Sequence, residues 1–507
     1  MEKRILLAIV ILLAVSAFTP AATRLVPGDY NTIQDAINAA VDGDTVLVAD
    51  GTYTGDGNRD IDFLGKAITV KSENGPENCI IDCNATDAER HRGFRFVSDE
   101  NHNSVLDGIT IINGYTCEYH ISELFKGSGI LCIGSEPTIK NCYLSNNYSH
   151  AILCTSASPI IENCTISDNT SFEGGGINCR GRSSSPLIIN CTITRNAAKF
   201  GGGIYCDSSG TPVIKNCNIS ENSADSGGAV FCYLGVFSDS FITITNCTLA
   251  DNLSPKGSAL ACKSWSPARN KIELSNCIVC DEIFKDDKST ITASYSNIRG
   301  GWEGEGNIDA DPCFAELGFW DANGTPEDAN DDFWVEGDYH LLPGSLCIDA
   351  GDPCYVPEPN ETDLDGYPRI INGRIDMGAY ESDYIRARLW LSPRTINRKS
   401  RLKRVMAWMQ FPKGITKVQI DQDQPLLLYP GGIEAELQYV FEQGKKGDKG
   451  VRISAFFDKA ELMEAIPDNG QVQLEVVGYL TTGREFYGTD FVTILDRQQA
   501  WKCWLGR

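Results

Sequence analysis

The chain has 507 residues, 68 Asp and Glu against 44 Lys and Arg for a net charge of −24, and 20 cysteines. An acidic body of this size argues against a nucleic-acid partner and suits divalent cations or neutral glycans. The charge is uneven, because from Tyr384 onward 19 basic residues meet 14 acidic ones.

At the N-terminus Glu2, Lys3 and Arg4 precede an apolar run from Ile5 to Val15, then small residues through Ala22. The run is too short for a permanent membrane anchor. It reads as a signal peptide over residues 1–22, cleaved between Ala17 and Ala22. No cysteine follows it, which argues against a lipid anchor. An exported protein, secreted or on the cell surface, with no transmembrane segment after cleavage, is therefore expected.

Residues 24–125 read as a capped start. Asn31-Thr-Ile-Gln34 has the form of a capping box. Ile33, Ala36, Ile37 and Ala40 then trace a short amphipathic helix able to plug an open sheet end. Strands are expected at Ala67–Val70 and Val105–Ile112.

A repeat occupies residues 127–280. Asn-Cys-x-(Ile/Leu/Val) recurs at Asn141-Cys142, Asn163-Cys164, Asn190-Cys191, Asn216-Cys217, Asn246-Cys247 and Asn276-Cys277, at intervals of 22 to 30 residues. Between these copies lies a Gly- or Ser-led phrase ending in Cys132, Cys154, Cys179, Cys206, Cys232 and Cys262. Such a period means stacked identical units. Each unit holds three short apolar runs punctuated by Gly, Ser, Pro and Asn, so the runs are strands that pair with the next unit, about 4.8 Å away, in parallel sheets. Period-two alternation points Ile204 and Cys206 inward and Tyr205 outward. The corner asparagines fit the left-handed conformation of a tight turn. Six residues after the first five stand Asn147, Asn169, Asn196, Asn222 and Asn252, a second column in which amides can bond from coil to coil; after Asn276 the sixth position is Glu282, where the pattern fades. Vertical disulfides within the cysteine columns are geometrically open, but like-on-like stacking favours free thiols. Zinc is excluded, since Cys277-x-x-Cys280 has no second pair.

These residues resemble the right-handed parallel β-helix of the pectin-lyase-like superfamily over roughly residues 24–380. The stretch Asn222-Ser-Ala-Asp-Ser-Gly-Gly-Ala-Val230 is similar to the repeat of the polymorphic outer-membrane protein family. The resemblance implies architecture far more than activity, since this fold carries lyases, hydrolases, epimerases and adhesins. It also implies that a polysaccharide would lie along the outer face of one sheet, with carboxylates and a base on neighbouring coils in an enzyme. The outward row here is Leu131, Leu153, Asn178, Tyr205, Phe231 and Ala261, which carries no charge; Glu173, Arg180, Asp207 and Lys263 flank it. Tyr205 and Phe231 on adjacent coils would make an aromatic platform for sugar rings, with surface aromatics shielded by a loop as the alternative. Asn178, Tyr205, Phe231, Arg180 and Asp207 are therefore the candidate ligand-binding residues, and no catalytic set stands out.

Residues 294–381 form an acidic closing segment. SLCIDAGDP (345–353) and GRIDMGAYE (373–381) resemble the closing segment of many bacterial surface β-helix proteins. Cys347 and Cys354 are expected to pair. Asp321-x-Asn323-Gly324 and Asp363-x-Asp365-Gly366 offer oxygen ligands and a Gly turn suited to Ca²⁺, although neither continues into a full calcium loop and solvated turns are the alternative. Residues 384–507 read as a separate β-sandwich-like domain, with alternation at Val405, Ala407, Met409 and Phe411 and a short helix opened by Asp458. The basic run from Arg394 to Arg404 could bind acidic glycan, dock on the acidic solenoid or be a solvated loop. The reading as a whole is an all-β protein, a right-handed parallel β-helix with a small C-terminal β domain. Its expected role is recognition of extracellular carbohydrate; a polysaccharide lyase or glycoside hydrolase is the alternative, and a structural envelope component the second.

Overall fold

The computed structural model describes residues 21–117, 127–181, 184–207, 211–234, 241–264, 271–321, 323, 333–412, 415–445 and 448–496. The expected signal peptide up to residue 20 lies outside them. Among the described residues, no helix is long and apolar enough to cross a membrane.

The repeat winds into three parallel sheets of nine, eleven and ten strands, with a short three-stranded sheet beside the nine-stranded one. Equivalent residues of successive coils pair in register, as in Ile177 with Ile204, Asn178 with Tyr205 and Cys179 with Cys206. Inward positions stack Ile on Ile and Cys on Cys, and all twelve ladder cysteines are buried and free. The corner cysteines have a specific role. Each thiol of Cys142, Cys164, Cys191, Cys217, Cys247 and Cys277 donates to the carbonyl two residues before it, at 3.1–3.3 Å. Cysteine thus fills a small apolar position while its weak S–H donor adds a second contact to a corner carbonyl that already accepts a backbone N–H from the adjacent coil.

The two asparagine columns do different work. Asn141, Asn163, Asn190, Asn216, Asn246 and Asn276 all hold φ between 52° and 54°, the left-handed corner. The second column is a buried amide ladder. Asn147, Asn169, Asn196, Asn222 and Asn252 each pass an amide hydrogen to the next coil, at 2.9–3.2 Å, ending on Asp281. Each amide oxygen from Asn169 to Asn252 also accepts the backbone N–H of the asparagine below it. The ladder runs one coil past the point where its phrase fades. That coil is a residue shorter, so Asp281 rather than Glu282 takes the asparagine's place. Burial, opposed by the bonds from Asn252, pushes the Asp281 carboxyl up to about 6.

The solenoid begins earlier than the regular repeat. Strand Thr23–Val26 already pairs in register with Thr45–Val48, and the same sheet continues to Thr290–Ser294. The stretch expected as one strand, Val105–Ile112, is two, Val105–Asp107 and Thr110–Ile112. Gly108 separates them at φ +67° and makes the corner that asparagine makes later. Helix α1 (Ile33–Ala39) buries Ile33, Ala36 and Ile37 against the open end. Its cap is Thr32, one residue beyond Asn31, and Thr32 exchanges hydrogen bonds with Asp35. Gln34 instead turns to the neighbouring coil and pairs with both backbone groups of Asp62.

The closing segment runs along the corner column. Asn276 accepts from the Asp352 N–H at 2.7 Å, Asn246 donates to the Tyr355 hydroxyl, and Asn216 donates to the Thr362 carbonyl. Lys215 and Glu361 form an ion pair at 2.9 Å on the same face. The expected disulfide is absent. Cys347 is buried beneath Asn297, whose amide lies 3.2 Å from its sulfur, whereas Cys354 is exposed.

After residue 384 a second core gathers between sheets of six and four mostly antiparallel strands. Helix α2 (Lys459–Ala465) is capped by Asp458, which accepts from the Ala460 and Glu461 N–H groups. Val477 and Tyr487 of this unit pack with Ala250, Ile278 and Met377, joining it to the end of the solenoid. Three of the six basic residues of the Arg394–Arg404 run are spent inside this unit. Arg398 holds the carbonyls of Met463, Ile466 and Asp468 at the end of α2, Lys399 pairs with Asp496, and Arg404 with Glu436.

Asn196→Ala tests the amide ladder. It orphans buried partners above and below, each costing about 1–3 kcal/mol, so a total loss of about 3–5 kcal/mol in urea unfolding is expected. A loss below about 1 kcal/mol would show that the ladder is decoration.

Candidate functional site

Strand alternation creates two outward columns on the nine-stranded sheet. One is Leu131, Leu153, Asn178, Tyr205, Phe231 and Ala261; the other, two residues on, is Thr155, Arg180, Asp207, Tyr233 and Lys263. The glycines leading each strand fold the preceding chain back beside this face. Gly201 sits at φ +64°, and a Cβ there would lie 2.3 Å from the Ile204 carbonyl oxygen. That fold-back forms the three-stranded sheet of Thr170–Glu173, Ala197–Phe200 and Ser223–Ser226.

Asn178, Tyr205, Phe231, Arg180 and Asp207 thus share one face. The Tyr205 and Phe231 rings stack at 5.7 Å between centroids and 6° between planes. They are not an open platform. Tyr205 is 5% exposed, Phe231 2% and Asn178 0%. Phe200 lies 5.2 Å from Phe231, Tyr233 and Phe284 pack on the cluster, and the Lys263 ammonium sits 5.5 Å from the Phe231 ring. Outward parity specifies the side of a sheet but not what folds over it, and here the shielded alternative holds. Asn178 spends its amide on the Glu173 carbonyl.

The accessible surface lies one layer further out. Phe172, Phe200 and Tyr233 are half-buried, and the exposed Lys199 places its ammonium 5.1 Å from the Phe172 ring and 5.8 Å from Phe200. Beside them Arg180 reaches Glu173 at 3.8 Å and lies near the Asp207 carboxyl of the next coil. Burial raises the Asp207 carboxyl above its ordinary range, Arg180 opposes the rise and Glu173 adds to it. Burial, then Glu173 and Asp207, likewise keep the Tyr205 phenol protonated. The arrangement offers aromatic faces, three cations and two carboxylates to a ligand lying across the coils.

At the turns expected to suit calcium the carboxylates make local hydrogen bonds, and Gly324 of the first lies outside the described residues. Asp363 accepts from the N–H groups of Asp365, Tyr367 and Glu381, and Asp365 bonds His340 at 2.6 Å. Asp321 accepts from the Asn323 N–H in a local turn. Among the described residues no group of three or more His, Cys, Asp or Glu converges as a metal site.

A charged column that sequence reading missed stands at the other corner. Asp168, Arg195, Glu221 and Asp251, each directly before a ladder asparagine, all hold φ between 54° and 62°. Arg195 forks Asp168 at 2.9 and 3.0 Å, and the Tyr339 hydroxyl lies 3.0 Å from both Glu221 and Asp251. The signal was present as x-Asn with x charged, but the left-handed backbone that aligns these side chains was not. They hold the segment around Gly318, Gly337 and Tyr339 against the solenoid.

The family model described as right handed beta helix region matches residues 28–184 and 128–297, together more than half of the chain. The chain belongs to that right-handed β-helix family. No curated protein matches its sequence. Among solved structures it is similar to pectin methylesterase in complex with hexasaccharide VII, with 11% identity and a TM-score of 0.32 over 57% of this chain and 92% of that one. A point mutant of pectin methylesterase in complex with hexasaccharide IV gives 11% identity and a TM-score of 0.27 over the same shares.

Burial of the stacked rings makes a testable difference. Truncating either Tyr205 or Phe231 to Ala should cost about 3 kcal/mol or more in urea unfolding, because a filled apolar site is emptied. An unchanged midpoint would mean that the rings are an open surface after all.

Proposed function

We propose that this chain is an exported carbohydrate-recognition protein whose ligand lies along the outer face of the nine-stranded sheet. The observation that carries this reading is the row of half-buried rings, Phe172, Phe200 and Tyr233, bordered by Lys199, Lys263, Arg180, Glu173 and Asp207. Aromatic faces stack on sugar rings, while charged side chains hydrogen-bond hydroxyls at the edges. Coils about 4.8 Å apart match an extended chain better than a compact small molecule. Export rests on the N-terminal apolar run, and a place at the cell surface on the likeness of Asn222–Val230 to outer-membrane repeats.

A glycoside hydrolase is the second reading. It is favoured by the two carboxylates beside Arg180, of which Asp207, raised above its ordinary range by burial, is the candidate acid.

Glycan-array screening followed by calorimetry separates the readings. Lys199→Ala with Arg180→Gln should weaken binding to the retained glycan at least about tenfold, a change of about 1.4 kcal/mol. New reducing ends that disappear in Asp207→Asn would establish the hydrolase. No retention of any glycan would leave a structural envelope role.

A further inference from the structure

The C-terminal domain is the basic part of an otherwise acidic chain, and three of the six basic residues in the Arg394–Arg404 run, Arg398, Lys399 and Arg404, are consumed internally. Ahead of the run, Arg386 and Arg388 make no ion pair among the described residues, and Arg394 at its start reaches only Asp490, at 3.5 Å. Arg386, Arg388 and Arg394 line, with Trp390, a cleft of about 540 Å³ where Asp349 of the closing segment meets the C-terminal domain.

The local chain path explains the clustering. Ile385–Arg386 is an edge strand of the six-stranded sheet and Arg388–Ser392 an edge strand of the four-stranded one. Across this crossing Ile385, Ala387, Leu389 and Leu391 are buried, so alternation sets Arg386, Arg388 and Trp390 in one outward row. The Arg388 guanidinium stacks 5.1 Å from the Trp390 ring, which fixes its orientation. Arg394 is 68% exposed and reaches Asp490 only at 3.5 Å.

Charge in the cleft favours an anion. Of its two carboxylates, Asp490 is already engaged by the Leu391 and Phe491 N–H groups and by Arg394. Asp349 is partly buried and lies near Arg386, Arg374 and Arg484. Arg386 and Arg388 make no ion pair among the described residues, so two planar forks stay available for carboxylate or sulfate oxygens.

We infer that this cleft binds an anionic saccharide, with Arg386 and Arg388 forking a carboxylate or sulfate carried on the sugar and Trp390 meeting the ring. The volume is that of a small-ligand site, about 300–1,000 Å³. The acidic solenoid beside it repels a long, densely charged polyanion and leaves a short, sparsely charged one. The site is separate from the nine-stranded face and does not rest on the function proposed for that face.

The test is calorimetry on the full chain with an oligogalacturonate, a sulfated oligosaccharide, a neutral cello-oligosaccharide and inorganic sulfate. One of the two anionic saccharides should bind, more weakly as salt rises, and which one binds identifies the anionic group. Arg386→Gln with Arg388→Gln should lower that affinity at least about tenfold, with the unfolding midpoint and any neutral-glycan binding unchanged. Arg388→Lys, which keeps the charge but not the fork, should fall between the two. Binding of neither anionic saccharide, wild-type affinity in the double variant, or equal affinity for inorganic sulfate would each overturn the proposal. Neutral-glycan binding reports on the nine-stranded face alone, so the two sites fail independently.

Discussion

A buried amide must find partners for two donors and an acceptor, and in this solenoid they are the amides of adjacent coils together with backbone carbonyls and N–H groups that the stacking brings beside them. The ladder from Asn147 to Asp281 therefore imposes one geometry on every coil it crosses. A coil out of register by one residue would leave amides unpaired in a place where each orphan costs about 1–3 kcal/mol. Coil length varies from 22 to 30 residues because the extra residues leave the coil at loops between the sheets; from Asn141 to Asn252 the spacing from corner to ladder stays at six residues, and only the last step, Asn276 to Asp281, is one shorter. The cysteine columns and the left-handed corners follow from the same requirement. Each supplies what a stacked corner needs, at an offset from the ladder residue that changes only in the last coil.

The outer faces inherit that order. Because strands stack in register, any outward residue becomes one member of a column, and a column of unlike residues becomes a surface. On the nine-stranded sheet the column pairs Arg180 with Asp207 and Tyr233 with Lys263, while the returning chain lays Phe172 and Phe200 beside them. On the far corner the same stacking lines up Asp168, Arg195, Glu221 and Asp251, but there the charges are spent on holding an inserted segment. One scaffold thus yields one face with ring surfaces and charges open to solvent and one committed to structure. The difference lies in what packs on each, not in the coils.

What could be read from the residues was whatever repeats. The Asn and Cys columns, the inward and outward parity and the gathering of Asn178, Tyr205, Phe231, Arg180 and Asp207 on one side all depend on period and alternation. What could not be read depends on single events. Gly108 stands in for a corner asparagine, Asp281 for a ladder asparagine, and Thr32 rather than Asn31 caps α1; each keeps the backbone role while changing the letter. The cover over Tyr205 and Phe231 comes from Phe200 and Phe284, whose approach is set by glycine corners rather than by any pattern. Cys347 and Cys354 lie seven apart in a loop, yet one is drawn into the core by Asn297 and the other stays outside. The cleft of Arg386, Arg388 and Trp390 exists only because two edge strands meet there.

Removing one whole coil tests the account most directly. Deleting residues 163–189 joins Glu162 to Asn190, keeps an asparagine at the corner and sets Asn147 directly beneath Asn196. If register through the ladder governs the fold, the shortened chain should still unfold in one cooperative step, as stacked repeats with intact neighbours do. A deletion of half that length, which moves the ladder off its partners, should abolish folding. A folded half-coil deletion, or an unfolded whole-coil one, would contradict the claim that coil-to-coil amide pairing sets the structure.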